Sequence, residues 1–206
     1  MNPEHINKIK KLNYTPVGLG GSNFSNEWMQ DNKGENISKK NKYFGEYTFH
    51  YWLWKNYLDK IEDGWIGFCQ YRKFWSKDTN SHVSQSFDEL ETNVLKKIIT
   101  PDNEINSILG DEIYINNFKL MKFIKRGFKI LLKKPRYIYD KKSRNIKFHF
   151  DMWHGSHFLD KAIDLLDTND RDDFKKFVNT EVSFNPHNMF IVKSKKILKE
   201  YYSVLF

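Results

Sequence analysis

Two basic side chains, Arg72 and Lys73, end a short apolar stretch and could hold a phosphate group. The stretch, WIGFCQYRKFW at residues 65–75, is aromatic and apolar between turn-forming neighbours, which predicts a buried strand. In an open α/β sheet, the end of such a strand faces the ligand crevice. A guanidinium can grip a phosphate with its planar fork, and an ammonium adds a point charge. A surface ion pair explains the same residues equally well.

A polar segment, NISKKN at residues 36–41, leads directly into the densest aromatic run of the chain. A loop between a strand and a helix lies where α/β folds bind ligands, and the free amides of a helix start favour an anion. Lys39 and Lys40 add positive charge, so the segment suits a phosphate or a sugar hydroxyl. The simpler interpretation is that Ser38 or Asn41 caps a core helix, and the chemistry of the residues alone favours it.

A third group with possible chemistry lies in HFDMWHGSH, residues 149–157. Asp151 follows an apolar stretch that predicts a strand, so it is a candidate general base, although it could equally cap the next helix. Together with His149, His154 and His157 it could also ligate a metal, but a glycine turn interrupts the segment, so the four side chains need not converge. Hydrogen-bonded structural histidines are the more common explanation. The DRD at residues 170–172 lies in a hydrophilic run, which predicts a solvated helix start.

The composition is that of a folded domain rather than a disordered chain. The 206 residues contain 17% aromatics, which suits a large core or a cleft lined for sugars or nucleotides, and only 10 Gly and 5 Pro. The single cysteine, Cys69, allows no internal disulfide and no thiolate zinc cage. The first residues lack the apolar core of a signal peptide, and no stretch approaches the ~20 apolar residues of a spanning helix. We therefore expect a cytoplasmic protein.

Positive charge is concentrated in residues 119–147, which hold twelve Lys or Arg and one acid within a chain of net charge +8. At 100° per residue, the segment 119–134 places apolar residues on one arc and Lys122, Lys125, Arg126 and Lys129 on another. A helix of this kind is typical of one that lies on an anionic membrane. A core helix with a basic solvated face is the simpler alternative. A nucleic-acid interface is less favoured, because no recognised nucleic-acid motif accompanies the charge.

Strand-like and helix-like segments alternate along the chain, which predicts an α/β fold with a largely parallel central sheet. The aromatic residues that follow Asn41 recur at spacings of three and four, which predicts a helix. Further helices are predicted over residues 156–167, 170–179 and at the C-terminus. Strands are predicted at residues 14–21, 65–75, 111–118, 146–155 and 189–193. We expect a single domain over residues 1–206, with residues 119–147 as a basic amphipathic insertion.

Three stretches carry a family resemblance: DNKGENISKKN at 31–41, EYTFHYWLWKN at 46–56 and GWIGFCQYRKFW at 64–75. They resemble the domain of unknown function 4422 family of bacterial capsule and exopolysaccharide clusters, as does NPHNMFIV near the C-terminus. Such proteins are similar to glycosyltransferases of the GT-A fold, a Rossmann-type α/β domain that binds a nucleotide diphosphate sugar. The chain departs from the family pattern in two places, since Gln70 replaces a histidine and Lys73 replaces a second arginine.

The resemblance implies transfer of a hexose, from a uridine diphosphate sugar in our prediction, to a surface polysaccharide or a lipid-linked acceptor. On this basis we expect one set of residues at the donor: Asp31, Asn36, Ser38, Lys39, Asn41, Arg72 and Lys73. We expect a second set at the substrate sugars: Gln70, Tyr71, His154, Gly155 and Asn188. Asp151 is the expected base, with Glu46 as second choice.

In this hypothesis Arg72 and Lys73 neutralise the leaving diphosphate, so we expect no metal cofactor; Mn²⁺ or Mg²⁺ remains the alternative. The predicted partners are the nucleotide sugar, the acceptor glycan and the anionic inner membrane, the last bound through residues 119–134, and no nucleic acid. The protein would then be peripheral at the inner membrane. The competing hypothesis is a module that binds carbohydrate or membrane without turnover, which Gln70 favours because an amide cannot exchange protons near neutral pH.

Overall fold

The computed structural model describes residues 5–78, 83–99, 104–117 and 120–206. The chain forms two compact units: one comprises the residues up to Leu109 together with Asn188–Phe206, and the other comprises Gly110–His187. The single domain over residues 1–206 stays a prediction. Within the described ranges, every helix is too short or too polar to cross a membrane.

The described residues form short strands and helices, and five helices follow one another in the second unit. In chain order the elements are α1 (Ile6–Lys11), β1 (Val17–Gly18), β2 (Met29–Gln30), a 3₁₀ turn (Ser38–Lys40), α2 (Asn41–Phe44), α3 (Tyr47–Asn56), β3 (Ile66–Gly67), α4 (Phe87–Asn93), β4 (Ser107–Leu109), β5 (Ile113–Tyr114), α5 (Leu120–Lys133), α6 (Arg136–Tyr139), a second 3₁₀ turn (Lys141–Ser143), α7 (Ile146–His154), α8 (Phe158–Ile163), α9 (Thr168–Thr180), β6 (Ser183–Phe184), β7 (Phe190–Val192) and α10 (Lys195–Leu205).

The fold is mixed α/β, but the predicted, largely parallel sheet is not confirmed. In the first unit β1 pairs with β2 in parallel, whereas β7 lies between β3 and β4 and is antiparallel to both. In the second unit β5 and β6 are also antiparallel. Parallel neighbours need a crossover connection between them. Here β7 returns after the second unit and joins the sheet in the opposite direction, so most of the described strand pairs are antiparallel.

The core of the first unit forms where α3 packs against α10 and β7. Phe49, Trp52 and Leu53 recur at the spacing of one helix face, so they bury together. Leu198 and Tyr202 supply the facing residues from α10 and are fully buried. This arrangement confirms the predicted aromatic helix after Asn41, although a turn at Gly45 divides it into α2 and α3.

The second unit is a group of helices, and it corrects one predicted strand. The segment 146–155 forms α7, with Asn145 as its cap: the Asn145 side-chain oxygen accepts from the Phe148 amide at 2.9 Å. Phe148 and Met152, one turn apart, bury against Phe123 and Leu131 of α5. The alternating apolar residues of this segment indicate a strand, but the cap and the i, i+4 pair favour a helix. The predicted helices α8 and α9 are confirmed, and the DRD lies near the start of α9.

His50, on α3, is a titratable group inside the aromatic core of the first unit. Its Nδ1 lies 2.7 Å from the Tyr202 hydroxyl, and its ring contacts Phe68 and Phe190 at centroid distances of 4.7 and 5.7 Å. Burial lowers the pKa of His50 from 6.5 to about 4, because the charged imidazolium would lose its hydration. The imidazole is therefore neutral at physiological pH.

This burial predicts an acid-sensitive fold. Between pH 6.5 and pH 4 the unfolded chain binds a proton at His50 that the folded chain does not, so stability falls as the pH is lowered. The expected loss is about 3 kcal/mol by pH 4, at ~1.4 kcal/mol per pH unit. His50→Phe should lack this component, as measured by urea unfolding at pH 7, 5.5 and 4.

His154→Gln is the control for this measurement, since His154 lies exposed on α7. It should retain the pH dependence of the wild-type protein. Identical pH dependence in the wild-type protein and His50→Phe would contradict the assigned role of His50.

Candidate functional site

The polar loop that precedes α3 is held in place by side chains of that helix. The Trp52 indole donates to the Lys33 carbonyl at 2.7 Å, and the Asn56 amide nitrogen donates to the Glu35 carbonyl at 2.7 Å. The Asn56 oxygen also accepts from the Glu35 amide at 3.1 Å. Gly34 has a φ of +67°, and a Cβ there would lie 2.2 Å from the Asn56 oxygen, so only glycine fits. The helix therefore fixes the path of the loop.

Asp31 connects this loop to two other segments. Its carboxylate is fully buried and accepts from the Gly20 amide at 3.0 Å and from the Thr48 hydroxyl at 2.5 Å. Asn41 reaches the same place, since its side-chain nitrogen donates to the Gly45 carbonyl at 2.8 Å and to the Thr48 hydroxyl at 3.1 Å. Asp31 and Asn41 were both predicted at the donor. In the structure they position the glycine turn at Gly20 and the start of α3.

Asn36 organises the segment that contains the predicted anion site. Its side-chain oxygen accepts from both the amide and the hydroxyl of Ser38, at 3.2 and 2.8 Å, and its nitrogen donates to the Gly34 carbonyl at 2.7 Å. The prediction that Ser38 or Asn41 caps the helix is wrong, because the residue that accepts from a free amide here is Asn36. Ser38 is buried, whereas Lys39 is exposed.

The stretch 65–75 contains a tight reversal in place of a long strand. Strand β3 covers Ile66–Gly67, and Gln70 and Lys73 exchange two backbone hydrogen bonds of 3.2 Å. Tyr71 and Arg72 form the exposed tip, with the guanidinium carbon of Arg72 4.8 Å from the centroid of the Tyr71 ring. Two residues thus turn the chain, which is the shortest common hairpin connection. Both predicted cations are exposed beyond the end of β3, Arg72 at the tip and Lys73 next to it.

The hairpin is tied to the start of α3 through Glu46. The Gln70 side-chain nitrogen donates to the Glu46 carboxylate at 2.9 Å. The Trp75 indole donates to the Phe68 carbonyl at 3.0 Å, which joins the two arms of the reversal. Gln70 therefore places a neutral donor beside a carboxylate.

A cavity of about 730 Å³ lies in the first unit beside this hairpin. Four of the predicted site residues line it: Glu46, Gln70, Tyr71 and Asn188. The Asn188 oxygen accepts from the Tyr47 hydroxyl at 2.9 Å, which orients the amide. Much of the remaining wall is aromatic and includes Phe49, Phe68, Phe74 and Trp75. Asp31, Asn36, Ser38, Lys39, Asn41, Arg72 and Lys73 do not line this cavity.

Cys69 and Tyr14 also line the cavity, and both are protonated at neutral pH. Burial, with a further contribution from the charge of Glu46, raises the pKa of the Cys69 thiol to about 12. Burial likewise raises the pKa of Tyr14, whose hydroxyl donates to the Leu95 carbonyl at 2.8 Å. A thiol in this state is a poor nucleophile, so the arrangement does not support cysteine chemistry.

The candidate base Asp151 lies in the second unit, in the middle of α7 rather than at the end of a strand. Its Oδ2 is 3.5 Å from the Lys147 ammonium, which also contacts Asp160 at 2.7 Å. Its Oδ1 is buried and accepts no hydrogen bond from any described residue. Desolvation raises the pKa of Asp151, and Lys147 partly offsets the effect. A buried carboxylate oxygen of this kind indicates a functional group or a bound water.

The other two candidates on this segment surround the end of α7. His154 is exposed in the last turn, where its ring lies 4.6 Å from that of Phe150. Gly155 ends the helix with a φ of +96°. Among the described residues no three His, Cys, Asp or Glu side chains are grouped so that they could hold a metal, and this includes the histidines near Asp151. The absence of a metal cofactor stays a prediction.

The pattern of one protein family matches almost the entire chain. A domain of unknown function, DUF4422, matches residues 4–206. The chain belongs to the DUF4422 family. The resemblance inferred from the three motif stretches is thereby confirmed. No curated protein matches this DUF4422 chain significantly.

One solved structure has a similar fold: the apo form of WbbM, described as a bifunctional glycosyltransferase. It matches with a TM-score of 0.56 and 21% sequence identity, over 93% of this chain and 33% of the WbbM chain. The DUF4422 chain thus spans about a third of the length of that protein. The similarity shows that this chain has a glycosyltransferase-like fold.

The sequence interpretation missed the residues of the DUF4422 chain that hold the site together. Thr48, Trp52 and Asn56 each contact the polar loop or Asp31, yet none has chemistry of its own. Their spacing of four residues places them on one face of α3, and that spacing was the available signal. Tyr47, next to this face, was missed because its partner Asn188 lies 141 positions away.

We expect Thr48→Val to destabilise the first unit. The variant keeps the shape of the side chain but leaves an oxygen of the buried Asp31 carboxylate without its hydroxyl donor. An unsatisfied buried acceptor of this kind costs about 2 kcal/mol. Urea unfolding at pH 7 measures the loss.

Thr92→Val is the matched control, because the Thr92 hydroxyl donates to the Asp88 carbonyl on the exposed surface of α4. Its effect should stay below about 0.5 kcal/mol. Equal effects of the two substitutions would refute the importance of the Asp31–Thr48 contact.

Proposed function

We propose that the protein is a glycosyltransferase that moves a hexose from a nucleotide diphosphate sugar, a uridine diphosphate sugar in the first instance, to a surface polysaccharide or lipid-linked glycan. The fold is glycosyltransferase-like, and one further observation supports the proposal most strongly. The hairpin of residues 70–73 presents two adjacent cations, and its other two residues, Gln70 and Tyr71, line an aromatic cavity. The cations suit the phosphates of a nucleotide, and the aromatic cleft suits its base.

The cations suit the charge that develops during transfer. When the bond to the sugar breaks, the diphosphate leaves with additional negative charge, and fixed positive groups stabilise that state most. Arg72 can donate two parallel hydrogen bonds to phosphate oxygens, and Lys73 supplies a compact charge. Lys39, exposed on the polar loop that α3 fixes, supplies a third cation from the same unit. In this proposal these groups replace a divalent metal.

The cavity supplies contacts for the neutral parts of the donor. Aromatic faces such as Phe68 and Phe74 stack on planar bases and on the apolar faces of sugars. The Asn188 amide, oriented by Tyr47, has donors available for a hydroxyl or a carbonyl. Asn36 and Ser38 act in this proposal by holding the shape of the adjacent loop.

A base must remove the proton of the acceptor hydroxyl as that oxygen bonds to the sugar. Asp151 is the proposed base, because its raised pKa and its unbonded buried oxygen suit a proton acceptor. His154 and Gly155 would then contact the acceptor or the donor sugar. Glu46 is the second candidate, although its carboxylate already accepts from Gln70.

We expect Arg72→Ala to weaken the binding of uridine diphosphate by at least about tenfold, because a charge-assisted hydrogen-bonded pair contributes about 1.5–3 kcal/mol. Isothermal titration in excess EDTA measures it, and the wild-type protein should bind under these conditions. Arg72→Lys should give an intermediate affinity, since it keeps the charge and loses the fork.

Lys60→Ala, at an exposed position of the same unit, is the control and should bind like the wild-type protein. An unchanged dissociation constant in Arg72→Ala would exclude the proposed role of the hairpin. Wild-type binding that is lost in EDTA and restored by Mn²⁺ would exclude the metal-free form of the proposal.

We expect Asp151→Asn to lower the turnover of a uridine diphosphate sugar by a factor of about 10²–10⁴, the usual contribution of a general base. Its affinity for uridine diphosphate should not change, because the base acts on the acceptor. Release of uridine diphosphate, measured with a panel of donor sugars and with water as acceptor, reports the turnover. Glu46→Gln tests the second candidate in the same assay, and a larger loss there would reassign the base.

The second candidate function is a module that binds carbohydrate without turnover. Gln70 favours it, because the family resemblance predicts a histidine at this position, and an amide cannot transfer protons near neutral pH. Binding of uridine diphosphate or glycans without hydrolysis of any donor in the panel would support this module over the enzyme.

A further inference from the structure

The apolar residues of α5 lie on two different faces of the helix. Phe123 and Leu131 are buried and pack against Phe148 and Met152 of α7. The four members of the other set are exposed: Met121 at 78%, Ile124 at 45%, Phe128 at 55% and Leu132 at 69%. Sequence periodicity alone places all of these residues in the apolar part of the helix. The structure shows that only one part of that surface is used by the core of the unit.

The exposed set forms one continuous row, which we call the apolar stripe: Met121, Ile124, Phe128 and Leu132. Spacings of three and four residues place these side chains one above another along the helix. Four large apolar side chains in one exposed row are unusual for a soluble surface, where contiguous apolar patches usually mark an interaction site. The stripe is therefore a candidate docking surface.

A row of cations follows the apolar stripe along its length. Lys125, Lys129 and Lys133 are exposed and also recur at every fourth residue. At 100° per residue, these lysines lie at 40–120° from Met121, on the side of the stripe away from the buried face. We call them the lysine row. The stripe thus lies between the buried face and the lysine row.

Positive charge continues beyond the end of α5. Lys134, Arg136 and Lys142 line a polar cleft of about 520 Å³ in the same unit, together with the single acid Asp140. The Arg136 guanidinium is 3.7 Å from the Asp140 carboxylate, so one of the cations is partly compensated. The surface around the helix end remains basic overall.

We propose that α5 docks this protein on an anionic lipid surface. The apolar stripe would enter the boundary between headgroups and acyl chains, while the lysine row would contact the lipid phosphates from beside it. An apolar row flanked by cations matches this boundary, where apolar and anionic layers meet within a few ångströms. A nucleic acid would pair with the lysines alone and leave the stripe in water, so the stripe favours the membrane.

The test is co-sedimentation of the full chain with vesicles of phosphatidylcholine that contain 30% phosphatidylglycerol, compared with pure phosphatidylcholine. The wild-type protein should prefer the anionic vesicles, and the preference should fall with salt. Lys125→Glu with Lys129→Glu should reduce binding to anionic vesicles by at least about tenfold, because each cation near such a surface contributes. Leu132→Ser should reduce it about tenfold by removing buried apolar area.

Two matched controls lie on the same unit. Lys175→Glu with Lys176→Glu makes the same charge change on α9, and Leu165→Ser makes the same apolar change at an exposed position. Both should bind anionic vesicles like the wild-type protein, and circular dichroism should show every variant folded.

Three outcomes would overturn the proposal. One is a wild-type protein that does not sediment with anionic vesicles. Another is equal loss of binding in the α5 variants and the controls. The third is tight, salt-dependent binding of a 20-nucleotide RNA together with no binding to vesicles, which would assign the lysine row to nucleic acid.

Discussion

The arrangement of the first unit depends on a carboxylate that is removed from water. Asp31 is fully buried, and burying a charged group is costly unless hydrogen bonds replace its hydration. A backbone amide at Gly20 and the Thr48 hydroxyl provide those bonds. Because each donor comes from a different segment, the carboxylate can be satisfied only when the glycine turn, the polar loop and α3 are all correctly placed. One local requirement thus fixes three parts of the chain.

Helix α3 has two roles that its sequence combines in ten residues. Phe49, Trp52 and Leu53 pack in the core, and Asn56 binds the loop through its amide; Trp52 does both, because its ring is buried while its indole donates to the loop. Aromatic residues supply large buried area with few rotatable bonds, so they make a rigid support. The polar loop therefore needs no regular structure of its own. The backbone from which exposed side chains such as Lys39 extend is held in place by α3.

The mixed α/β class and the family could be predicted from the sequence. The contacts between residues of the candidate site could not. The helical spacing after Asn41 and the family motifs indicate the helices of the first unit and the relationship that the family match confirms. Periodicity failed at 146–155, where alternating apolar residues fit a strand, but the cap at Asn145 decides for a helix. It also failed at 65–75, because a two-residue reversal leaves no hydrophobic signature.

Some of the residues predicted for the site lie together in the structure, but the sequence did not indicate the contacts that orient them. Gln70, Tyr71 and Asn188 were expected at the substrate and Glu46 as the second-choice base, and all four line one cavity. The contacts that orient them join residues up to 141 positions apart, and no local pattern encodes such a pair. Asp31 shows a different limit of sequence analysis. It was predicted to bind the donor, but its carboxylate oxygens accept hydrogen bonds from Gly20 and Thr48 inside the protein.

The single cysteine has a practical consequence for studying this molecule. Cys69 is partly covered, lines the cavity and has a thiol whose pKa burial raises to about 12. Maleimide reagents react with the thiolate, so labelling in the native state should be slow and limited by local opening. Cys69 is thus a natural reporter at one position of the wild-type chain. The rate at which it is labelled reports how often the cavity wall opens, and no substitution is needed to measure it.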